Sequence, residues 1–368
     1  METPANGRLP AVKNYADLMR RCFELARRGE GRVEPNPRVG AMVVRAGRVI
    51  AEGWHERYGG PHAEVNALRK AGARAKGATL VASLEPCCHQ GKTPPCADAV
   101  IRAGIKEVVA AVRDPHSVVC GKGFAALKKA GLRVTTGVLE EEARRLNPGF
   151  FKFHETGMPY VVAKWAMTLD GKIAAHTGDS RWITCEASRA WLHRLRDAYQ
   201  AILVGSNTAL RDDPILRGDK RTPVRVVLDS WARVPLDAKV VRTAREQRTI
   251  VAVSASAPEE KVRLFRRAGV EVIKLEVMDM RVLLEELARA GLHSILVEGG
   301  GEVHASVFEA GLADEFVVFV APKIVGGREA KTPVEGNGVA RMSEAQRIVD
   351  VTCERIEDDF VIRGRVKR

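Results

Sequence analysis

Short apolar runs alternate with amphipathic stretches in two separate parts of the chain, and this alternation limits the fold more than any other feature. Strand-length runs at 40–45, 48–53, 78–84, 107–112 and 132–136 are interleaved with helical patterns at 15–28, 62–70, 95–103 and 124–130. The first two runs flank Ala46-Gly47 and predict a hairpin. Parallel strands need long crossovers, so helices set between the later runs predict a layered α/β domain with a partly parallel sheet. A second alternation starts at Pro159, with strands at 160–165, 201–204, 224–229, 249–253, 270–274, 294–297 and 315–321 and helices at 186–198, 259–268, 279–290 and 302–310. The runs 348–356 and 359–366 predict a closing antiparallel hairpin. Between the two parts stand the breaker clusters Asn147-Pro148-Gly149 and Thr156-Gly157-Met158-Pro159. The expected division is a lead-in over 1–13, a first domain over 14–147, a linker over 148–158 and a second domain over 159–368.

No uninterrupted apolar run approaches the roughly 18 residues of a membrane helix, and the first residues lack an apolar signal core. Of the seven cysteines (Cys22, Cys87, Cys88, Cys96, Cys120, Cys185 and Cys353), only three cluster. An odd count without regular spacing is not a disulfide framework. A cytoplasmic protein without membrane association is expected. The formal charge of +13 attracts anions of every kind. There is no basic tail or block of like charge, and 5% aromatic content offers little for stacking bases. Phosphorylated small molecules, rather than nucleic acid, are the expected partners.

The strongest local signal is His62-Ala63-Glu64, followed by Glu85-Pro86-Cys87 and Pro94-Pro95-Cys96. One imidazole and two thiolates suit zinc, and three protein ligands leave a tetrahedral position open. Cys96 sits at a predicted helix start, which favours its thiolate. Glu64 lies two residues beyond His62, placed to move a proton without binding the metal. The pattern H-x-E then P-C-x-x-C marks zinc deaminases of bases. Here eight residues, Cys88 to Pro95, separate the two cysteines, a longer and more polar loop. Spacing alone does not choose between Cys87 and Cys88. A structural zinc site is the competing reading, but such sites usually have four protein ligands and no adjacent free carboxylate.

The second half is less explicit. Val297-Glu298-Gly299-Gly300-Gly301-Glu302 runs from a strand into a helix, a turn that lets a phosphate approach backbone N–H groups. It is not the G-x-G-x-x-G fingerprint. Thr208, Asp212 and Asp213 precede Pro214, where they would equally well cap a turn.

PNPRVGAMVV (35–44), GWH (53–55), PHAEVNAL (61–68), LEPCCHQGKTPPCADAVIRAGI (84–105) and DPHSVVCGKG (114–123) resemble the deaminase half of the bifunctional riboflavin-biosynthesis deaminase/reductase family. AKWAMTLDGKIA (163–174), SRWIT (180–184), ILVGSNTALRDDP (202–214), VEGG (297–300) and APKIVGG (321–327) resemble its reductase half. The resemblance covers about 14–366, and the order of so many motifs makes it specific. It implies a cytidine-deaminase-like three-layer domain followed by a dihydrofolate-reductase-like α/β domain. The implied reactions are zinc-dependent hydrolytic deamination of 2,5-diamino-6-(5-phosphoribosylamino)pyrimidin-4(3H)-one, releasing ammonia, then NADPH-dependent reduction of the ribosyl group to a ribityl chain.

Carried over to this chain, the resemblance makes His62, Cys87 and Cys96 the ligands of one zinc ion and Glu64 the proton shuttle. Asn36, His55, His89 and Lys92 take positions that hold ring or phosphate. The family commonly has serine where Cys88 stands. In the second half the resemblance places NADPH around Ala166, Trp182, Thr208, Asp212, Ser230 and a loop of Gly300, Gly301, Glu302, Val303, His304, Ala305 and Ser306. It places the second substrate around Lys164, Ser180, Arg196 and Glu298. An arginine usual after Pro214 is displaced, and Arg217 is the candidate to take its place. A homodimer through the reductase domain is also implied.

Overall fold

The structure, a computed structural model, describes residues 14–367; the expected lead-in over 1–13 lies outside the described residues. Two compact units divide between Gly157 and Met158.

The first unit runs α1 (Tyr15–Arg27), β1 (Gly40–Arg45), β2 (Arg48–Trp54), α2 (Ala63–Ala71), β3 (Thr79–Ala82), α3 (Cys96–Arg102), β4 (Glu107–Ala110), α4 (Lys122–Lys129), β5 (Arg133–Thr135), α5 (Glu140–Leu146) and α6 (Pro148–Thr156). Its sheet has the order β2-β1-β3-β4-β5. The β1–β2 hairpin and the β1–β3 pair are antiparallel, whereas β3, β4 and β5 are parallel. Strand residues such as Met42, Leu80 and Val108 are fully buried with Met19, Cys22 and Leu25 of α1 and Ala67 of α2 in one core. Gly40 is required by packing: a Cβ there would lie 2.0 Å from the Cys22 carbonyl oxygen.

The expected linker is a correction. Residues 148–156 form α6, and Phe151 is buried in the first unit's core. Pro148 occupies the first helical turn, where its missing N–H costs nothing. Asn147 bonds both the N–H and the carbonyl of Arg38, at 2.8 and 2.9 Å. A cluster that reads as a breaker is thus a helix start anchored to the domain.

The second unit carries β6 (Tyr160–Thr168), α7 (Glu186–Arg196), β7 (Ala201–Gly205), α8 (Ser206–Asp212), β8 (Val224–Leu228), α9 (Lys239–Arg242), β9 (Thr249–Ser254), α10 (Glu259–Ala268), β10 (Glu271–Leu275), α11 (Met280–Arg289), β11 (Ser294–Gly299), α12 (Gly301–Glu309), β12 (Glu315–Ala321), β13 (Ile348–Ile356) and β14 (Asp359–Val366). The sheet order is β10-β9-β8-β7-β11-β6-β12-β14-β13, parallel except for the last two strands. Side chains alternate between faces along a strand. Ala201, Leu203 and Val226 pack with Leu283, Leu287 and Val307 of α11 and α12. Ile202, Val204 and Val227 pack with Val240, Val262 and Phe265 of α9 and α10. Burial on both faces explains why these strands read as continuous apolar runs.

Candidate active sites

In the first unit, β3 ends just before the segment carrying Cys87, while His62 and Cys96 stand at the starts of α2 and α3. The result is a tight triangle. His62 Nδ1 lies 3.5 Å from Cys87 Sγ and 3.3 Å from Cys96 Sγ, and all three ligand atoms fall within 4.8 Å of one another. A tetrahedral ion with zinc's ordinary bond lengths would set nitrogen and sulfur roughly 3.5 Å apart. The residues therefore fit zinc in both chemistry and spacing. Cys87, not Cys88, belongs to the triangle. Hydrogen bonds from Cys96 and His62 hold the Cys87 thiol well below its usual range. The Ala97 N–H closes on the Cys87 carbonyl at 3.0 Å, so the ends of the long loop are pinned while its middle projects.

Glu64, in the first turn of α2, is 3% exposed, and its carboxyl lies against the Cys96 thiol. Burial pushes its pKa up to about 7. Among the described residues its Oε2 has no hydrogen-bond partner. A buried carboxylate oxygen without a partner is costly and points to a functional group. His55 is also buried: Nδ1 lies 3.1 Å from the Pro61 carbonyl and Nε2 3.2 Å from Asn36 Nδ2. A carbonyl only accepts, so Nδ1 carries the proton and Nε2 accepts from Asn36. Burial lowers the His55 pKa and keeps the ring neutral. The His55 and His62 rings meet edge-on at 5.2 Å. The long loop carries His89, half-buried with Nδ1 unpartnered among the described residues, and Lys92, whose ammonium sits 4.1 Å over the Tyr58 ring.

Several residues around this site escape sequence reasoning. Thr93 Oγ1 is 3.5 Å from His62 Nε2 and orients the ring from behind. Glu85, buried next to the ligand segment, accepts backbone N–H bonds from Asp114, Gly121 and Phe124 at 3.1, 2.9 and 3.1 Å. His116 stacks parallel to His89 at 6.2 Å and meets His154 at 4.4 Å. The signal for Glu85 was present in Glu-Pro-Cys, but sequence does not distinguish a scaffold carboxylate from a reactive one.

In the second unit, the C-terminal ends of β7, β8 and β11 open onto a cavity of about 440 Å³. Ligands of parallel α/β sheets bind at such ends. Its lining includes Ser180, Thr208, Asp212, Ser230, Glu298, Gly300, Gly301, Glu302 and Val303 among the predicted residues. It also includes residues that were not foreseen: Ser206, Asn207 and Arg211, which neighbour the predicted Thr208 and Asp212, and Lys331 and Glu335 on a segment distant in sequence. Gly300 has φ of +78°, and α12 begins one residue later with its first-turn N–H groups at the cavity wall. A Cβ at Gly301 would lie 2.6 Å from Glu335 Cγ and 2.7 Å from the Thr332 carbonyl oxygen. This glycine-walled cradle at a helix N-terminus fits the diphosphate of a dinucleotide.

Behind Glu298 is a charged cluster. Arg196 clamps both Glu298 oxygens, at 2.6 and 2.8 Å, and Lys164 is buried beside them. Burial pushes the Lys164 ammonium down, with Glu298 opposing the shift.

Other predicted positions fall elsewhere. Residues 301–306 are helix rather than loop, because the turn is complete at Gly300. His304 and Ala305 are in the core, where His304 lies 2.8 Å from the Pro333 carbonyl and 3.3 Å from that of Val297; the Ser306 hydroxyl donates to the Glu302 carbonyl. Ala166 packs with Phe319 in the sheet core. Trp182 is 62% exposed, with the Arg189 guanidinium 4.3 Å over its ring. Arg217 is also corrected: its guanidinium bonds Gln247 and Glu246, and only its carbonyl, 3.0 Å from Arg196 Nη1, reaches the cluster. Asp213 caps α9 through the Lys239 N–H at 2.7 Å, while neighbouring Asp212 lines the cavity.

Residues 12–112 match the family described as the cytidine and deoxycytidylate deaminase zinc-binding region, and 159–362 match the RibD C-terminal domain. The chain is similar to the riboflavin biosynthesis protein RibD of Actinobacillus pleuropneumoniae, 42% identical over 94% of both chains. It is also similar to RibD of Aquifex aeolicus, 43% identical over 95% of this chain and 97% of the other. Among solved structures, Acinetobacter baumannii RibD superposes with a TM-score of 0.87 at 36% identity, covering 96% of this chain and 99% of that one. A diaminohydroxyphosphoribosylaminopyrimidine deaminase/5-amino-6-(5-phosphoribosylamino)uracil reductase from Thermotoga maritima gives 0.84 at 38% identity over the same shares.

Proposed function

The chain belongs to the RibD family of bifunctional riboflavin-biosynthesis deaminase/reductases, and from that premise we propose how its residues divide the two reactions and what they act on. The first unit deaminates 2,5-diamino-6-(5-phosphoribosylamino)pyrimidin-4(3H)-one to 5-amino-6-(5-phosphoribosylamino)uracil. The second reduces the ribosyl group to give 5-amino-6-(5-phosphoribitylamino)uracil. The deaminase and reductase activities by which the Thermotoga maritima relative is described support this substrate pair.

The observation that carries the deaminase reading is the unpartnered Glu64 Oε2 beside the His62, Cys87 and Cys96 triangle. Zinc held by those three residues would supply Lewis acidity that activates a water for attack on the ring carbon bearing the amine. Glu64 takes the proton of the attacking water and returns it to the departing nitrogen, so that ammonia leaves. Its pKa of about 7 suits both transfers at neutral pH. Asn36 and His55, locked together with His55 neutral, hold the ring's polar edge, and His89 and Lys92 hold the phosphate-bearing side.

In the reductase, NADPH supplies the hydride. Thr208, Ser230 and the Gly300–Val303 cradle hold the cofactor, while Ser180, Lys164, Arg196 and Glu298 hold the open-chain ribosyl group. Lys164 is the candidate to hold or deliver the proton, since burial lowers its pKa and so eases release of the ammonium proton.

The deaminase extends through α6 and the reductase from 159 onward. Phosphorylated pyrimidines, rather than nucleic acid, fit a basic chain with few aromatics. Among the described residues no helix is long and apolar enough to cross a membrane. A cytoplasmic homodimer joined through the second unit completes the reading; the long, largely exposed edge strand β13 supports such pairing.

The test is to supply zinc-loaded protein with the diaminopyrimidinone phosphate and follow ammonia, then add NADPH and follow its absorbance. Ammonia release before any NADPH oxidation is expected. NADPH oxidation by the undeaminated substrate would overturn the order.

A further inference from the structure

The cavity of the second unit has two ends, and the cofactor reading just given, on which this inference rests, fixes their identity. One end is Glu298 at the close of β11, with Arg196 and Lys164 behind it. The other is Leu228 and Ser230 at the close of β8. Strands β11, β7 and β8 are neighbours in that order. Adjacent strands lie roughly 4.8 Å apart, so the two ends are separated by about 10 Å. With the reducing end at Glu298 and the diphosphate at the start of α12, the adenosine falls at β8.

The turn after β8 is built unusually for a ribose site. In NAD-binding folds an acidic residue commonly accepts from the ribose 2′-hydroxyl. Here the turn's carboxylate, Asp229, is fully buried and faces inward, accepting from the Val234 N–H at 2.8 Å. Its Oδ1 lies 3.9 Å from Arg233 Nε. Arg233, half exposed, instead reaches to the adjacent strand end: its Nη2 donates to Ser206 Oγ at 2.7 Å and to Asn207 Oδ1 at 2.9 Å. Ser206, Asn207 and Ser230 all line the cavity. A guanidinium is thereby fixed across the β7 and β8 ends, with Nη1 unengaged among the described residues. NADPH differs from NADH by one phosphate on the adenosine ribose, and a fixed guanidinium is suited to phosphate.

We propose that Arg233 holds the 2′-phosphate of NADPH and thereby sets the reductase's preference for NADPH over NADH. The buried Asp229 is a positioning residue that preforms the turn.

Calorimetric titration of the full-length, zinc-loaded protein with NADPH, NADH and 2′,5′-ADP tests this. Arg233→Gln should raise the Kd for NADPH and 2′,5′-ADP by about 10-fold or more, the loss of a charge-assisted hydrogen bond, and leave NADH within about twofold. Arg233→Lys should keep part of the preference. Equal weakening of NADPH and NADH, no weakening of either, or loss of preference in Arg211→Gln but not in Arg233→Gln would each overturn the assignment. Circular dichroism checks that each variant is folded. Thr208→Glu tests the underlying cofactor reading separately: a carboxylate in the cradle should weaken both dinucleotides. If it changes neither, the cavity is not the cofactor site; if it weakens both while Arg233→Gln has no selective effect, only the role of Arg233 falls.

Discussion

The two units build their sites in opposite ways. In the first, the working groups are side chains supplied by short motifs between His62 and Cys96 and drawn to one point. In the second, the site is largely a shape: strand ends, a glycine cradle and a helix start, lined by segments scattered from Ile173 to Glu335. Metal ligation demands particular atoms, so it leaves particular residue types in the sequence. A cavity for a dinucleotide demands space and backbone N–H groups, which many sequences provide. The first site should therefore fail through single atoms, the second through its supports.

The largest effect is expected at the metal. Cys96→Ser should remove most zinc, measured by elemental analysis, and abolish ammonia release, while NADPH oxidation with the deaminated substrate persists. Loss of both activities in a folded variant would break the comparison.

Next in size is a support of the second site. Glu298, with its side chain 6% exposed, compensates Arg196, 11% exposed, and lies beside buried Lys164. Glu298→Gln leaves buried cations uncompensated and should cost about 3–5 kcal/mol of stability, read by denaturant titration of the second unit's signal. Burial alone would raise the Glu298 pKa, but Arg196 outweighs it and the native value is lowered. The pair's contribution is thus complete above the ordinary value of 4.5 and is lost as pH falls through the lowered native one. The deficit of the variant should therefore narrow on acidification. A deficit independent of pH would assign the loss to packing rather than charge.

Glu64→Gln comes third. It should retain zinc and slow deamination by at least ~10²-fold, about 2.7 kcal/mol in the barrier, without affecting the reductase. Near-normal turnover would remove Glu64 from the proton path. The smallest effect should be that of Cys88→Ser, which lies outside the ligand triangle and should keep zinc content and both activities near the parent values. If it emptied the site, Cys87 would not be the ligand.

Legibility follows the same division. The strands and the longer helices announced themselves by periodicity, and the zinc triangle by residue type. The helices α5, α6, α8 and α9 were missed. Pro148 and Gly149 look like breakers until Pro148 is seen in the first turn of α6, and α8 and α9 are too short for periodicity to register. Arg217 was expected at the substrate because the resemblance places an arginine after Pro214 and Arg217 follows it. In the structure only its carbonyl meets the cluster, accepting from Arg196, and no sequence pattern reports which end of a residue faces a site. Trp182 and Arg233 make the converse point: exposure and a bond to the neighbouring strand end are properties of the assembled sheet.

Glu85 links the deaminase centre to the order in which the chain is made. All three zinc ligands have been synthesised once Cys96 is added, yet the carboxylate two residues before Cys87 takes its bonds from Asp114, Gly121 and Phe124. A polypeptide halted on the ribosome before Phe124 emerges holds the full ligand set but lacks the N–H donors that fix Glu85 in the folded domain. The centre is therefore finished late, by residues that never touch the metal, and growing chains arrested on either side of that point should differ sharply in how firmly they retain zinc.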